Sequence, residues 1–222
     1  MGYEFDFGTL AQYLGQFAGG AAVTVGLTAV AAAFGVCLGI AGAAAARSQF
    51  VWLRGLTLTY VELIRNTPFV VQMFFLYFGL PSVGLRLNAL EAAALAMAVN
   101  LAAYAIEIIR AGIEAVPFGQ IEAGRAYGLR PVLLFGRIVL PQALAIIYPA
   151  LVGQIIVTML ESAVVSQIAV VDLTHVADLI QSRNFRPFET YLFVTAVYLG
   201  LAVALRRILV WSGGRLFLGR AP

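Results

Sequence analysis

The chain contains no lysine; all of its basic residues are arginines. A phosphate-binding loop of the Gly-x-x-x-x-Gly-Lys type needs its lysine, so ATP binding by that route is excluded. A lysine Schiff base is excluded for the same reason. Histidine occurs once, as His175, and no His-Glu-x-x-His pair exists to hold a catalytic zinc. His175 itself reads as a solvated loop residue. No Gly-x-Ser-x-Gly nucleophile turn is present. The single cysteine, Cys37, lies in an apolar run and offers no disulfide framework. The first residues, Met1 to Asp6, lack the basic start of a signal peptide, so no cleavage is expected. Charge is scarce too: 11% of residues are charged against 62% hydrophobic. That balance excludes an ordinary soluble domain and points to the bilayer. An enzymatic reading finds no constellation to rest on.

What is present is a series of long apolar runs. Residues 8–19 carry Leu10, Tyr13, Leu14 and Phe17 at helical spacing, and read as a short interfacial helix. Residues 20–46 can cross a hydrocarbon core of about 30 Å at about 1.5 Å per residue. Gly26, Gly35, Gly39 and Gly42 there predict a small-residue packing face. A second span is predicted over 55–80, containing Glu62, Arg65, Asn66, Thr67 and a bending Pro68. A third runs over 89–111, a fourth over 143–169 and a fifth over 188–209. A polar loop with Asp172, His175, Asp178, Arg183 and Arg186 separates the last two. The expected fold class is therefore all-α integral membrane, with five transmembrane helices. Residues 1–19 form an extracytoplasmic segment, 20–209 one membrane domain, and 210–222 a cytoplasmic tail.

The loop between the third and fourth spans is the polar exception. Gln120 to Leu129 reads as a short helix, with Glu122 ahead of Arg125 in the order the helix dipole favours. Gly128 can take the left-handed conformation that stops a helix. Arg130 precedes proline and is biased to extended geometry, and Pro131 suits the first position of a second helix, ending at Ile138-Val139-Leu140-Pro141. Placing this loop inside puts Arg47, Arg54, Arg110, Arg125, Arg130, Arg137, Arg206, Arg207, Arg215 and Arg220 on the same side. Only Arg86, Arg183 and Arg186 fall outside. The positive-inside bias thus sets the N-terminus outside and the C-terminus inside. It also accounts for the basic balance without nucleic acid.

Glu122-Ala123, Gly128, Ile138 and Leu140-Pro141 resemble the EAA loop of ABC-importer membrane subunits: Glu-Ala-Ala, three residues, Gly, nine residues, Ile-x-Leu-Pro. One position departs, Gly124 standing for the second Ala. The resemblance implies type I ABC importer permease architecture, in which this cytoplasmic coupling helix docks on an ATPase. Glu122, Ala123, Gly124, Arg125 and Gly128 are the implied coupling residues. Glu62-Leu63-Ile64-Arg65-Asn66-Thr67-Pro68 with Gln72, the stretch Asn100 to Arg110, and Phe185 to Tyr191 look like the polar amino-acid branch of that family. The implied partners are an ATPase dimer, a second permease subunit (the same chain or a paralogue), an extracytoplasmic binding protein, an amino-acid substrate and membrane lipid. No cofactor is expected in this chain; ATP and Mg belong to the ATPase. The implied location is the bacterial inner membrane.

Ionisable groups within spans are costly and face a partner or an aqueous cavity. Glu62 and Arg65 share a helix face, as do Glu107 and Arg110, so local ion pairs are plausible for both. Related permeases read Lys, Asp or Asn, then Thr where this chain has Leu160-Glu161-Ser162. The acid is kept and its neighbouring cation is gone. A substrate site of Arg65, Gln72, Tyr104, Glu161 and Ser162 follows, with Arg65 on the ligand carboxylate and Glu161 on an ammonium. The structural alternative is a Glu161–Arg65 pair across helices. Two other functional classes compete: a secondary transporter or channel driven through buried carboxylates, and a membrane scaffold that moves nothing. The topology is checked by accessibility: probes at Gly124 and after Pro222 should be shielded in intact cells, and one at Asp178 should react. Labelling of the Gly124 loop by an impermeant reagent would refute the five-span arrangement.

Overall fold

The computed structural model describes residues 4–215, and all regular structure among them is helical. Four stretches are long and apolar enough to cross a membrane: Gly8–Ala46, Ala89–Glu114, Pro131–Ile168 and Pro187–Gly213. A pair, Val51–Arg65 and Phe69–Val83, bent by 110°, makes a fifth among the described residues when counted as one broken span.

The first helix, α1 (Leu14–Ala46), continues directly from a 3-10 turn over Gly8–Tyr13. The segment read as a separate interfacial helix is thus the start of the first span. Its Leu10 and Phe17 are buried, which extends the helix beyond its purely aliphatic part. The centre of the fold is α4 (Ala89–Glu114), whose alanines let α1 approach closely. A Cβ on Gly35, Gly39 or Gly42 would come within 2.9, 2.5 and 2.3 Å of Leu101, Ala105 and Ile106. Three of the four predicted glycines therefore form the packing face; Gly26 faces open space. Asn88 and Glu91 start α4 with reciprocal side-chain to backbone bonds.

The second span is two helices rather than one. α2 (Val51–Arg65) ends where Pro68 turns extended, ψ 137°, and α3 (Phe69–Phe74) begins on a new axis. Proline lacks the donor that would carry the ladder across. Local side chains cover the carbonyls this exposes: Asn66 Nδ2 donates to Glu62 O at 2.8 Å and Thr67 Oγ1 to Leu63 O at 2.8 Å. A π turn (Phe75–Gly79) and a 3-10 turn (Leu80–Val83) follow, closed by Gly84 at φ 89°.

The polar loop after α4 holds α5 (Phe118–Ala126), then Gly128 at φ 73°, an extended Arg130, and Pro131 opening α6 (Pro131–Leu134). Helix, break and helix are as the residues dictate. However, α6 does not end at Leu140-Pro141. It runs through a π turn (Phe135–Val139) into α7 (Leu140–Glu161) and a 3-10 turn (Ser162–Ile168) as one stretch of 38 residues.

The expected polar loop beyond it is a helix, α8 (Leu173–Asn184), capped by Asp172, whose Oδ1 accepts from His175 N at 2.9 Å. His175 is thus helical. Leu173, Val176, Ala177 and Ile180 form its buried stripe, and Leu173 N donates to Thr24 Oγ1 of α1 at 3.3 Å. Burial pushes the Asp172 carboxyl up from its ordinary range against the bonds it accepts. The last helix, α9 (Pro187–Gly213), extends beyond the predicted end of the span, so residues 210–213 of the predicted tail are helical; 216–222 lie outside the described residues. At its start Glu189 is fully buried, pairs with Arg186 at 2.9 Å and accepts from Asp6 N at 3.0 Å.

Gly39→Leu should therefore force α1 off α4 and cost about 1–3 kcal/mol. Gly26→Leu points into open space and should be near neutral. Thermal midpoints of the two variants in detergent check the contrast; equal midpoints would refute the packing role.

Candidate functional site

The α2 break positions the first cluster. Arg65 is the last residue of α2 and reaches α4, where its Nη1 lies 3.9 Å from Glu107 Oε2 and its guanidinium sits 5.4 Å from the Tyr104 ring centroid. Glu107 is shared, since Arg110 also holds it at 2.5 Å and in turn reaches Glu114 at 3.1 Å. Glu107, Arg110 and Glu114 lie three and four apart on α4, the spacing that faces side chains toward one another. These groups surround a cleft of about 380 Å³ lined by Glu62, Arg65, Asn66, Tyr104, Glu107 and Arg110.

The contacts separate groups already committed from groups still available. The Glu107–Arg110 pair forms as its spacing predicts. The Glu62–Arg65 pair does not: the Glu62 carboxylate has no hydrogen bond or ion pair among the described residues. The Glu161–Arg65 pair does not form either, because Arg65 turns to Glu107. Arg65 makes only a long ion contact and stays 40% exposed, which leaves donors of its fork free for a carboxylate. A part-exposed arginine and an unpaired Glu62 carboxylate thus line one cleft, suited to the two ends of a zwitterion.

The remaining sequence-nominated residues lie elsewhere. Gln72 Nε2 donates to Ile64 O at 2.7 Å and to Thr67 O and Oγ1, while its Oε1 accepts from Asn100 Nδ2 at 3.0 Å. It satisfies the broken backbone and ties the break to α4. Ser162 is fully buried and donates to Met159 O at 2.6 Å. Glu161 ends α7, half-buried, with no hydrogen bond or ion pair among the described residues, and does not line the cleft. Of the five candidate substrate residues the cleft gathers Arg65 and Tyr104. Glu62 and Glu107 were visible as ionisable groups within spans, but their membership in the cleft depends on how α2 and α4 are rotated.

The second cluster is the α5 turn. Gly124 is buried, and a Cβ there would stand 2.3 Å from Leu134 Cδ1 and 2.9 Å from Ile138 Cδ1. That contact gives the departure from alanine its physical reason. Gly128 N donates to Arg125 O at 2.9 Å and Leu129 N to Gly124 O at 3.1 Å, closing α5 through the left-handed glycine. Glu122, Ala123 and Arg125 are exposed, as are Phe118 and Tyr127, the latter at 88%.

Residues 35–217 match the family model described as a binding-protein-dependent transport system inner membrane component. The chain is 38% identical to the probable glutamine ABC transporter permease GlnM of Bacillus subtilis, over 79% of this chain and 82% of that one. It is 38% identical to the nopaline transport system permease NocM of Agrobacterium fabrum, over 68% and 67%. A crystal structure of an amino acid ABC transporter with histidines superposes at a TM-score of 0.90 with 37% identity, covering 96% of this chain and all of that one. The chain belongs to the binding-protein-dependent transport system inner membrane components, and within them to the amino-acid ABC importer permeases.

Proposed function

We propose that this chain forms half of an amino-acid pathway and takes its power stroke through α5 from a separate ATPase dimer that carries the ATP and Mg. The observation that carries the reading is mechanical. α5 is wedged by Gly124 against Leu134 and Ile138, which lie on the same continuous helical stretch that crosses the membrane to Ile168. Displacement of α5 is thereby a displacement of that span. Tyr127, with Glu122 and Ala123, supplies the docking face, and Phe118 and Arg125 border it from the cavity behind α5. The arginine distribution supports placing this face in the cytoplasm, the N-terminal segment outside, and the whole chain in the bacterial inner membrane. A second permease copy closes the pathway, and an extracytoplasmic binding protein delivers the substrate.

In the substrate site Arg65 receives the ligand carboxylate, exchanging its long contact with Glu107 for a forked one, and Tyr104 stacks beneath it. Glu62, in the same cleft, faces the ligand's α-ammonium, while Glu161, outside the cleft on α7, receives a cationic side chain elsewhere along the pathway. Gln72 and Ser162 hold the broken helix and the end of α7 in place. A site with unpaired carboxylates favours a cationic amino acid over a neutral one.

Two outcomes check this. Gly128→Val penalises the left-handed turn and should lower substrate-stimulated ATPase activity of the reconstituted complex by at least about ten-fold, with insertion intact. Normal stimulation would refute docking through α5, and uptake that survives loss of any ATPase would give the chain to ion-gradient transport. Glu161→Gln should leave assembly intact, since Arg65 keeps Glu107, and lower the cationic-to-neutral transport ratio by about ten-fold or more. An unchanged ranking of substrates would remove Glu161 from the site.

A further inference from the structure

Two cavities on the α5 side of the fold share a wall. The first is a crevice of about 640 Å³ between α1 and α7, floored by Ile109 and Ile113 of α4. Its walls are aliphatic and aromatic, among them Val36, Ile40, Ile147, Leu151 and Ile155. The Tyr148 hydroxyl in it is already committed to Leu209 O. From Arg47 to Val36 the crevice follows 11 residues of helix, roughly 16 Å. That is close to half a hydrocarbon core of about 30 Å, the depth of one leaflet.

The second cavity, about 710 Å³, lies between the ends of α1 and α4 and the α5–α6 turn. It is lined by two arginines, Arg47 and Arg125, and one acid, Glu114. Glu114 is neutralised by Arg110 at 3.1 Å. Neither Arg47 nor Arg125 has an ion pair among the described residues. The cavity thus carries uncompensated positive charge. Arg47, Ile113 and Phe135 belong to both cavities, so the apolar crevice opens directly beneath the cationic one.

We infer that the joined cavities are a binding site for an anionic phospholipid, with an acyl chain in the α1–α7 crevice and the phosphate between Arg47 and Arg125. Hydrocarbon fits an apolar slot one leaflet deep, and two unpaired guanidiniums at its mouth select a headgroup that keeps its negative charge. Basic pockets between membrane helices at the cytoplasmic surface take anionic headgroups by the same physics. The leaflet assignment rests on the cytoplasmic placement of α5 proposed above; the site itself does not. Because Arg125 sits on the docking helix, a bound lipid would brace α5 against α1.

The test reads lipid, not transport, so it stands apart from the importer reading. The permease, purified with the chains that accompany it, is equilibrated in discs of phosphatidylcholine containing a minor fraction of phosphatidylglycerol. Lipid retained after washing is measured by mass spectrometry of the intact complex. Phosphatidylglycerol should be enriched; Arg47→Gln should cut the enrichment about five-fold and Arg47→Lys should retain most of it. Ala44→Trp fills the crevice without touching a charge, and should also release the lipid. Excess inorganic phosphate should not compete. Equal retention of both lipids would mean an unselective annulus and overturn the site. Displacement by phosphate, with Ala44→Trp silent, would make it an anion site only. Loss of a second permease copy in Ala44→Trp, with lipid unchanged, would give the crevice to a protein helix.

Discussion

In hydrocarbon a peptide group without a partner costs several kcal/mol, and no water is there to supply one. Everything unusual in this chain is arranged around that constraint. A broken helix at Pro68 is tolerable only because Asn66, Thr67 and Gln72 take up the carbonyls the break exposes, and because Asn100 holds Gln72 from the neighbouring helix. The break in turn ends α2 at Arg65 and turns its side chain toward α4. The polar cleft is thus a by-product of satisfying the backbone, and the residues that look most like ligand contacts divide into those that repair the helix and those left over for something else.

The features legible in the sequence were the ones written in local chemistry. Gly128 and Pro131 announced a left-handed stop and a fresh helix start, and both stand as read. The small-residue face of α1 was legible as well, apart from Gly26. What escaped depended on rotation and continuity. α8 was read as a loop from its charges, although Leu173, Val176, Ala177 and Ile180 carried a helical stripe; polar content outweighed period. The first span was cut short because residues 8–19 read as a separate interfacial helix, although Leu10 and Phe17 carry the same buried face into α1. The sequence offered Arg65 a partner in Glu62 or Glu161 and missed Glu107, because spacing fixes neighbours along a helix and says nothing of which face meets the next one.

The α4 helix connects both functional regions. Its middle gives the glycines of α1 a close packing surface at Leu101, Ala105 and Ile106, and its C-terminal end carries Glu107, Arg110 and Glu114 in sequence toward the α5 turn. One end of this charge series touches Arg65 at the break, the other lines the cavity beside Arg125. The proposed substrate cleft and the coupling turn therefore share a single helix, so neither can shift far without being felt by the other.

The joint between Asp6, Glu189 and Arg186 sets an order on biogenesis. Its two sides are 183 residues apart, so the first helix is complete long before the acid that fastens its leading segment has been synthesised. Until α9 emerges, the Asp6 amide lacks this acceptor, and Glu189 must enter its buried position with Arg186 and the Asp6 amide closing over it together. The joint is a seam that closes only once the chain has been made past Glu189, and a product that stops short of it leaves the segment ahead of α1 without this fastening.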